Sequence, residues 1–130
     1  MSSGKLAAQV AHCAEAYWTR VFQEKAKPLD DNSGYEVNAI IPKEIFDNYI
    51  NDAFTKTICE AKNKNHLLKA KVLADEMGLI EGQQYGLIYD KCLTELIPEE
   101  ENGTTITGIW FCPLSDDVAH FISKKYQLYK

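Results

Sequence analysis

The chain has 130 residues, 45% of them hydrophobic and 25% charged, a balance that suits one domain with one core and excludes disordered, collagenous and fibrous classes. Its net charge of −5, from 19 acidic and 14 basic residues, argues against sequence-blind coating of nucleic acid but leaves room for a local basic site. No apolar run approaches the ~18 residues of a membrane span, and the opening Met-Ser-Ser-Gly-Lys lacks the pattern of a secretory signal, so the expected address is the cytoplasm, with no membrane partner.

Helical spacing begins almost at once. Leu6, Val10, Cys13, Tyr17 and Val21 form one apolar row, and Ala7, Ala11, Ala14, Trp18 and Phe22 a second. At about 100° per residue the two rows cover more than half the cylinder, which predicts a deeply buried helix over about 4–25. The remaining arc carries Lys5, Gln9, His12, Thr19, Arg20 and Gln23, with no acid among them. A plain solvated face explains it; a surface turned toward an anionic ligand explains it as well.

Residues 25–34 carry breaker signals throughout and read as a loop. A short strand follows from Tyr35 to Ile41, ended by Pro42, which can open a helix whose apolar face is Ile45, Phe46, Tyr49 and Ile50. Thr55 to Lys62 is a β-branched strand candidate. Asn63 or Asn65 caps a helix with Leu67, Leu68, Ala70, Ala74 and Met77 inward, closed by Gly78. Tyr85 to Tyr89 is a strand ending at Asp90. Two extended runs, 92–97 and 104–112, are joined by a turn containing Asn102-Gly103. Ser115 caps a last helix with Asp116 and Asp117 in its first turn, Val118, Phe121, Ile122, Tyr126 and Tyr129 on its apolar face, and Lys124 and Lys125 toward its end. Strands alternating with helices predict an α/β single domain, a mixed β-sheet flanked by helices on both faces.

Cys13, Cys59, Cys92 and Cys112 form no Cys-x-x-Cys pair, and His12, His66 and His120 are equally scattered, so neither a zinc site nor a disulfide framework is expected. There is no phosphate-binding glycine loop and no Gly-x-Ser-x-Gly elbow. Cys92, beside Asp90, is the one nucleophile candidate, with His12 as its base. Otherwise the polar chemistry gathers at strand ends: Asp90 and Thr94 at one junction, and Thr105 and Thr107 on a shared face of the next strand.

Gly4-Lys5-Leu6-Ala7-Ala8-Gln9-Val10-Ala11-His12 resembles the first-helix signature of type-2 peptidyl-tRNA hydrolases, Gly-Lys-(apolar)-Ala-Ala-Gln-x-x-His. Phe54-Thr55-Lys56 and the segment up to Gly78-Leu79 are similar to that family's second strand and following helix. Asp90 and Thr94 match its Asp-x-x-x-Thr element, Thr105 and Thr107 its last strand, and Lys124-Lys125-Tyr126-Gln127-Leu128-Tyr129 its ending. The resemblance covers one domain over 1–130, apart from about 25–53, which looks like a central insertion of some members.

What the resemblance implies is an esterase that cleaves the bond joining a peptide to the terminal ribose of tRNA, with peptidyl-tRNA as its partner and no metal or cofactor. It implies Lys5, His12, Asp90, Thr94 and Thr107 as catalytic residues, and Gln9 beside them. Gln9, Arg20, Lys124 and Lys125 are the expected tRNA contacts. Lys5 and the helix N-terminus stabilise negative charge, Asp90 orients Lys5 or a water, Thr94 and Thr107 donate to substrate or water, and His12 holds orientation or touches RNA. Direct attack by water is the expected mechanism. The sequence departs from the family where Asp90-Lys91-Cys92-Leu93-Thr94 stands for Asp-Ala-Gly-x-Thr, and where no apolar strand precedes Gly4. An unfilled sheet position predicts pairing between copies, a homodimer. The alternative function is a catalytically silent domain of this fold that binds tRNA or a protein.

Overall fold

The computed structural model describes residues 1–93, 96–100 and 102–130. Its longest element is helix α1, Ser3–Lys25, whose N-cap Ser2 accepts a hydrogen bond from the Lys5 backbone N–H at 3.2 Å. The first apolar row, Leu6, Val10, Cys13, Tyr17 and Val21, is half-buried as its spacing requires. The second row is not: Ala7, Ala11, Ala14 and Phe22 face solvent, and Gln9 is the single buried residue of the helix. The deep burial predicted for α1 is therefore corrected. The helix packs on one pair of strands, and two strands have width for one row of side chains.

That pair is β4 (Tyr85–Asp90) and β5 (Thr105–Phe111), an antiparallel ladder running from Tyr85↔Phe111 to Asp90↔Thr105. Both helix-bearing faces are visible in its contacts. Trp110 turns toward α1, 6.4 Å from Tyr17 between ring centroids. An added Cβ at Gly108 would lie 2.7 Å from Cys13 Sγ, and one at Gly86 2.6 Å from the Trp110 indole. Only glycine lets the helix and the indole lie this close. Tyr85 turns to the opposite face and donates its hydroxyl hydrogen to Asp75 of α3, Lys64–Glu76.

The ladder breaks its alternation once. Ile88 pairs with Gly108 and Tyr89 with Ile106, so Thr107 is an extra residue, a β-bulge. The bulge puts Thr107 and Gly108 on the same side, both facing α1.

The α/β class holds, with helices on both faces of β4–β5. The expected mixed sheet does not form among the described residues, where the ladders are three separate antiparallel pairs of strands, β4–β5 being one. The predicted loop 25–34 contains β1, Ala26–Pro28, which pairs with a short β2, Tyr35–Val37, in a hairpin of its own. The predicted strand from residue 55 shrinks to β3, Cys59–Glu60, which pairs with β6, Gln127–Leu128. The helix expected after Pro42 is a short turn, α2 (Lys43–Ile45), running into a π-helical turn, Phe46–Ile50.

The α3 boundaries follow their signals. The Asn63 side chain accepts from the His66 N–H at 2.8 Å, and Gly78 takes φ 82° just past the end. Helix α4, Asp116–Ser123, starts after Ser115 without a side-chain cap bond, packs on α3, and ends short of Tyr126, whose hydroxyl donates to the His66 carbonyl. The predicted run 92–97 falls in part on Thr94 and Glu95, outside the described residues.

Candidate active site

The first turn of α1 meets the C-terminal end of β4. Lys5 Nζ lies 2.6 Å from Asp90 Oδ2, and the Asp90 side chain is only 9% exposed. A lysine in a first helical turn opposes the helix dipole, whereas a carboxylate beside that end is favoured by it. Asp90 therefore offsets the charge that Lys5 brings and gains from the helix end itself.

Two more donors hold Asp90. Gln9 Nε2 donates to Oδ2 at 3.0 Å, and the Cys92 backbone N–H donates to Oδ1 at 2.7 Å. The Lys5 hydrogen bond, followed by the Cys92 N–H, keeps the Asp90 carboxyl below the ordinary aspartate range, against the opposing effect of lost solvent. Asp90 is thus a weak base and a strong fixed charge.

Gln9 extends the network. Its Oε1 accepts from Thr107 Oγ1 at 2.6 Å while its Nε2 serves Asp90, so both ends of the amide are occupied. Gln9 was expected on the tRNA-facing arc; at 4% exposure it is instead the link between β4 and the β5 bulge. The sequence offered one weak signal for this role. Gln9 is one turn after Lys5, and it sits between the apolar neighbours Leu6 and Val10 that face the strands.

Lys5, Gln9 and Asp90 line a cavity of about 330 Å³ with His12, Tyr89, Lys91 and Leu93. His12 is exposed at its rim. Tyr89, Lys91 and Leu93 carry no site signal of their own in the sequence, and they reach the cavity by flanking Asp90. Lys5, Gln9, His12, Asp90 and Thr107 are therefore brought together; Thr94 lies outside the described residues.

The expected tRNA contacts part company. Arg20 is half-buried and pairs with Glu24 at 2.8 Å. Lys124 and Lys125 are exposed at the end of α4 and do not line this cavity, and Lys124 Nζ lies 4.9 Å from the Phe121 ring centroid.

Cys92 takes φ 58°, the left-handed backbone that glycine adopts without cost. That conformation aims its N–H at Asp90. Burial, and then the Asp90 charge, push its thiol upward in pKa, away from the thiolate that a nucleophile needs. Burial also raises the Cys13 thiol, to about 11, as its contact with Gly108 implies. Among the described residues no three His, Cys, Asp or Glu side chains converge as a metal site, and no helix is long and apolar enough to cross a membrane.

Comparison with known proteins gives two findings. Residues 1–129 match the family described as Peptidyl-tRNA hydrolase PTH2. Over 128 residues, 98% of this chain and 87% of the other, the sequence is 28% identical to a protein of Thermoplasma volcanium named peptidyl-tRNA hydrolase.

Proposed function

The chain belongs to the Peptidyl-tRNA hydrolase PTH2 family, and from that premise we propose that it hydrolyses the ester between a peptide and the terminal ribose of tRNA at the Lys5–Asp90 cavity. The observation that carries the reading is the Lys5–Asp90 pair. It is a nearly buried ion pair between elements far apart in sequence, and it opens on a cavity. Removing two charges from water is costly, and a buried pair is weak support for stability. Its place is better explained by a charge that develops during reaction.

In this reading Lys5 and the α1 N-terminus stabilise the oxyanion formed when water attacks the ester carbonyl. Asp90, too weak a base to take the water's proton efficiently, fixes the Lys5 ammonium. His12, on the rim, accepts that proton and returns it to the ribose oxygen as the carbon–oxygen bond breaks. Gln9 is a positioning residue that holds Asp90 against Thr107. Thr94 donates to substrate or water, the role the resemblance implies, and Lys91 and Lys5 supply positive charge for the phosphate nearest the ester. No protein side chain is the nucleophile, and no metal is required.

The test is release of an N-acylated amino acid from tRNA, with folding followed by circular dichroism. Asp90→Asn and Lys5→Met each slow release by about 10²-fold or more, the scale of losing one electrostatic stabiliser. The double variant is little slower than either single one, because residues acting as a unit are not additive. An unaltered chain that binds tRNA but releases nothing supports the silent binding domain instead. Loss of release in Cys92→Ala restores the cysteine nucleophile.

A further inference from the structure

The end of the β4–β5 ladder that carries Asp90 is the end least secured by the ladder itself. Past the bulge at Thr107 the register continues for two pairs, Tyr89↔Ile106 and Asp90↔Thr105, and then stops. Strand ends open more readily than strand middles, and a bulge interrupts the hydrogen bonds behind this one.

A fastening comes from the first residue of α3. The Thr104 carbonyl, next to Thr105, accepts from the N–H groups of Glu99 and Glu100 at 3.0 and 2.9 Å, and the Gly103 N–H donates to the Glu100 carbonyl at 3.1 Å. Glu100 is thus bound through its main chain to the start of β5. Its carboxylate accepts from the ammonium of Lys64, the residue that opens α3, at the other end of that helix from the contact between Tyr85 and Asp75. A lysine there opposes the helix dipole, as Lys5 does in α1, so Lys64 gains from an acid brought to it. The bond to Glu100 holds the ammonium above the ordinary lysine range, against the effect of lost solvent, with Glu99 and Tyr89 adding to it. Tyr89 also lines the Lys5–Asp90 cavity.

We propose that Lys64 and Glu100 are positioning residues for the Lys5–Asp90 site: their ion pair pins the turn before β5 to α3 and so holds the Asp90↔Thr105 end of the ladder in place. The proposal rests on the hydrolase reading above and adds what keeps Asp90 where that reading needs it. The two side chains are 35% and 32% exposed, and a pair so open to water contributes little to overall stability. Its effect is therefore local. Unfolding barely registers it, whereas a reaction that depends on the placement of Asp90 does. A phosphate contact is the other use for a lysine at this end of the fold, but Glu100 already neutralises this one.

The experiment joins steady-state kinetics to amide hydrogen exchange on the whole chain. Lys64→Met and Glu100→Gln each lower kcat for release of an N-acylated amino acid from tRNA by about 10-fold, the effect of a small displacement of a positioned group, with KM and the urea midpoint unchanged. Amide exchange quickens in both variants at Tyr89, Asp90 and Ile106 and stays the same at Tyr85 and Leu87, because only the end of the ladder is loosened. Lys64→Arg keeps kcat, and Lys64→Glu together with Glu100→Lys recovers most of what either reversal alone loses. Unchanged kcat in both single variants overturns the proposal, whatever the exchange shows, and leaves the hydrolase reading standing. A raised KM with unchanged kcat in Lys64→Met means that Lys64 meets RNA, and the positioning role is wrong. Faster cleavage by Glu100→Gln means that Glu100 obstructs the site, which also overturns it. An unaltered protein that releases nothing overturns the hydrolase reading, and this proposal with it.

Discussion

The two faces of the β4–β5 ladder each carry a lysine–aspartate pair, and the pairs behave differently. On the α3 face, Lys71 and Asp75 are one helical turn apart, 3.0 Å between Nζ and Oδ2, and both remain substantially exposed. The Tyr85 hydroxyl donates to Asp75, and Glu81 lies 3.8 Å from Lys71. Every part of that network is close in sequence and ties a helix to a strand. On the α1 face, Lys5 and Asp90 are brought together from distant parts of the chain, are more buried, and border a cavity. The local pair costs little and contributes little. The distant pair requires the fold to desolvate two charges. A chemical task explains why the second arrangement persists, whereas helix–strand packing is enough to explain the first.

The largest test of this contrast is Gln9. Gln9→Leu keeps the side chain's bulk and removes both ends of the link between Asp90 and Thr107. Cleavage should fall by about 10- to 100-fold, since small displacements of a positioned group have effects of that size. The fall should be in kcat more than KM, and Gln9→Asn should not rescue it, because the shorter amide cannot span both partners. Steady-state kinetics on an N-acylated aminoacyl-tRNA decide it.

Tyr85→Phe applies the matching cut to the other face. It should lower stability by about 1 kcal/mol in urea unfolding, the net worth of one hydrogen bond, because Asp75 stays exposed and paired with Lys71, with cleavage unchanged. A loss of cleavage there would mean that the two faces are coupled.

Protonation separates the faces again. Both Asp75 and Asp90 are held below the ordinary aspartate range, Asp75 first by the Tyr85 hydroxyl and then by Lys71, and Asp90 first by Lys5 and then by the Cys92 N–H. A folded-state pKa below the unfolded value gives stability that is present above the unfolded value and is lost as pH falls through the folded one. Carboxyl titration by NMR should therefore show both acids ionised below the usual aspartate range. In Tyr85→Phe the Asp75 titration should move up toward the ordinary range while Asp90 stays in place.

The smallest expected effect is at Cys92. Cys92→Gly should raise stability by as much as about 1 kcal/mol by relieving the left-handed backbone, and should preserve the N–H to Asp90 and hence cleavage. Thermal unfolding and the release assay read the two parts.

The sequence made α1, α3, the β4 and β5 strands and the Lys5–Asp90 pairing legible, because helical spacing, caps and a specific first-helix motif each act locally. The bonds of Gln9 to Asp90 and Thr107 join distant parts of the chain, and no local period encodes that approach. The burial of α1 was overestimated because the two apolar rows say nothing about how many strands lie beneath them. The β1 strand was hidden in Lys25-Ala26-Lys27-Pro28, where proline is tolerated at an edge but reads as a breaker. At Cys92, where the resembling motif has glycine, the backbone takes φ 58°, a demand that no local period announces.

The bulge at Thr107 acts as a phase shift between two patterns written on one strand. At it, Thr107 keeps time with the polar end of α1; after it, Gly108 and Trp110 keep time with the apolar end. An unbroken pleat would force a choice, because adjacent residues would point to opposite sides. Deleting Thr107 would thus do more than remove a hydroxyl: it would return the strand to a single rhythm. Reaching Gln9 and admitting Cys13 would then compete for the same position.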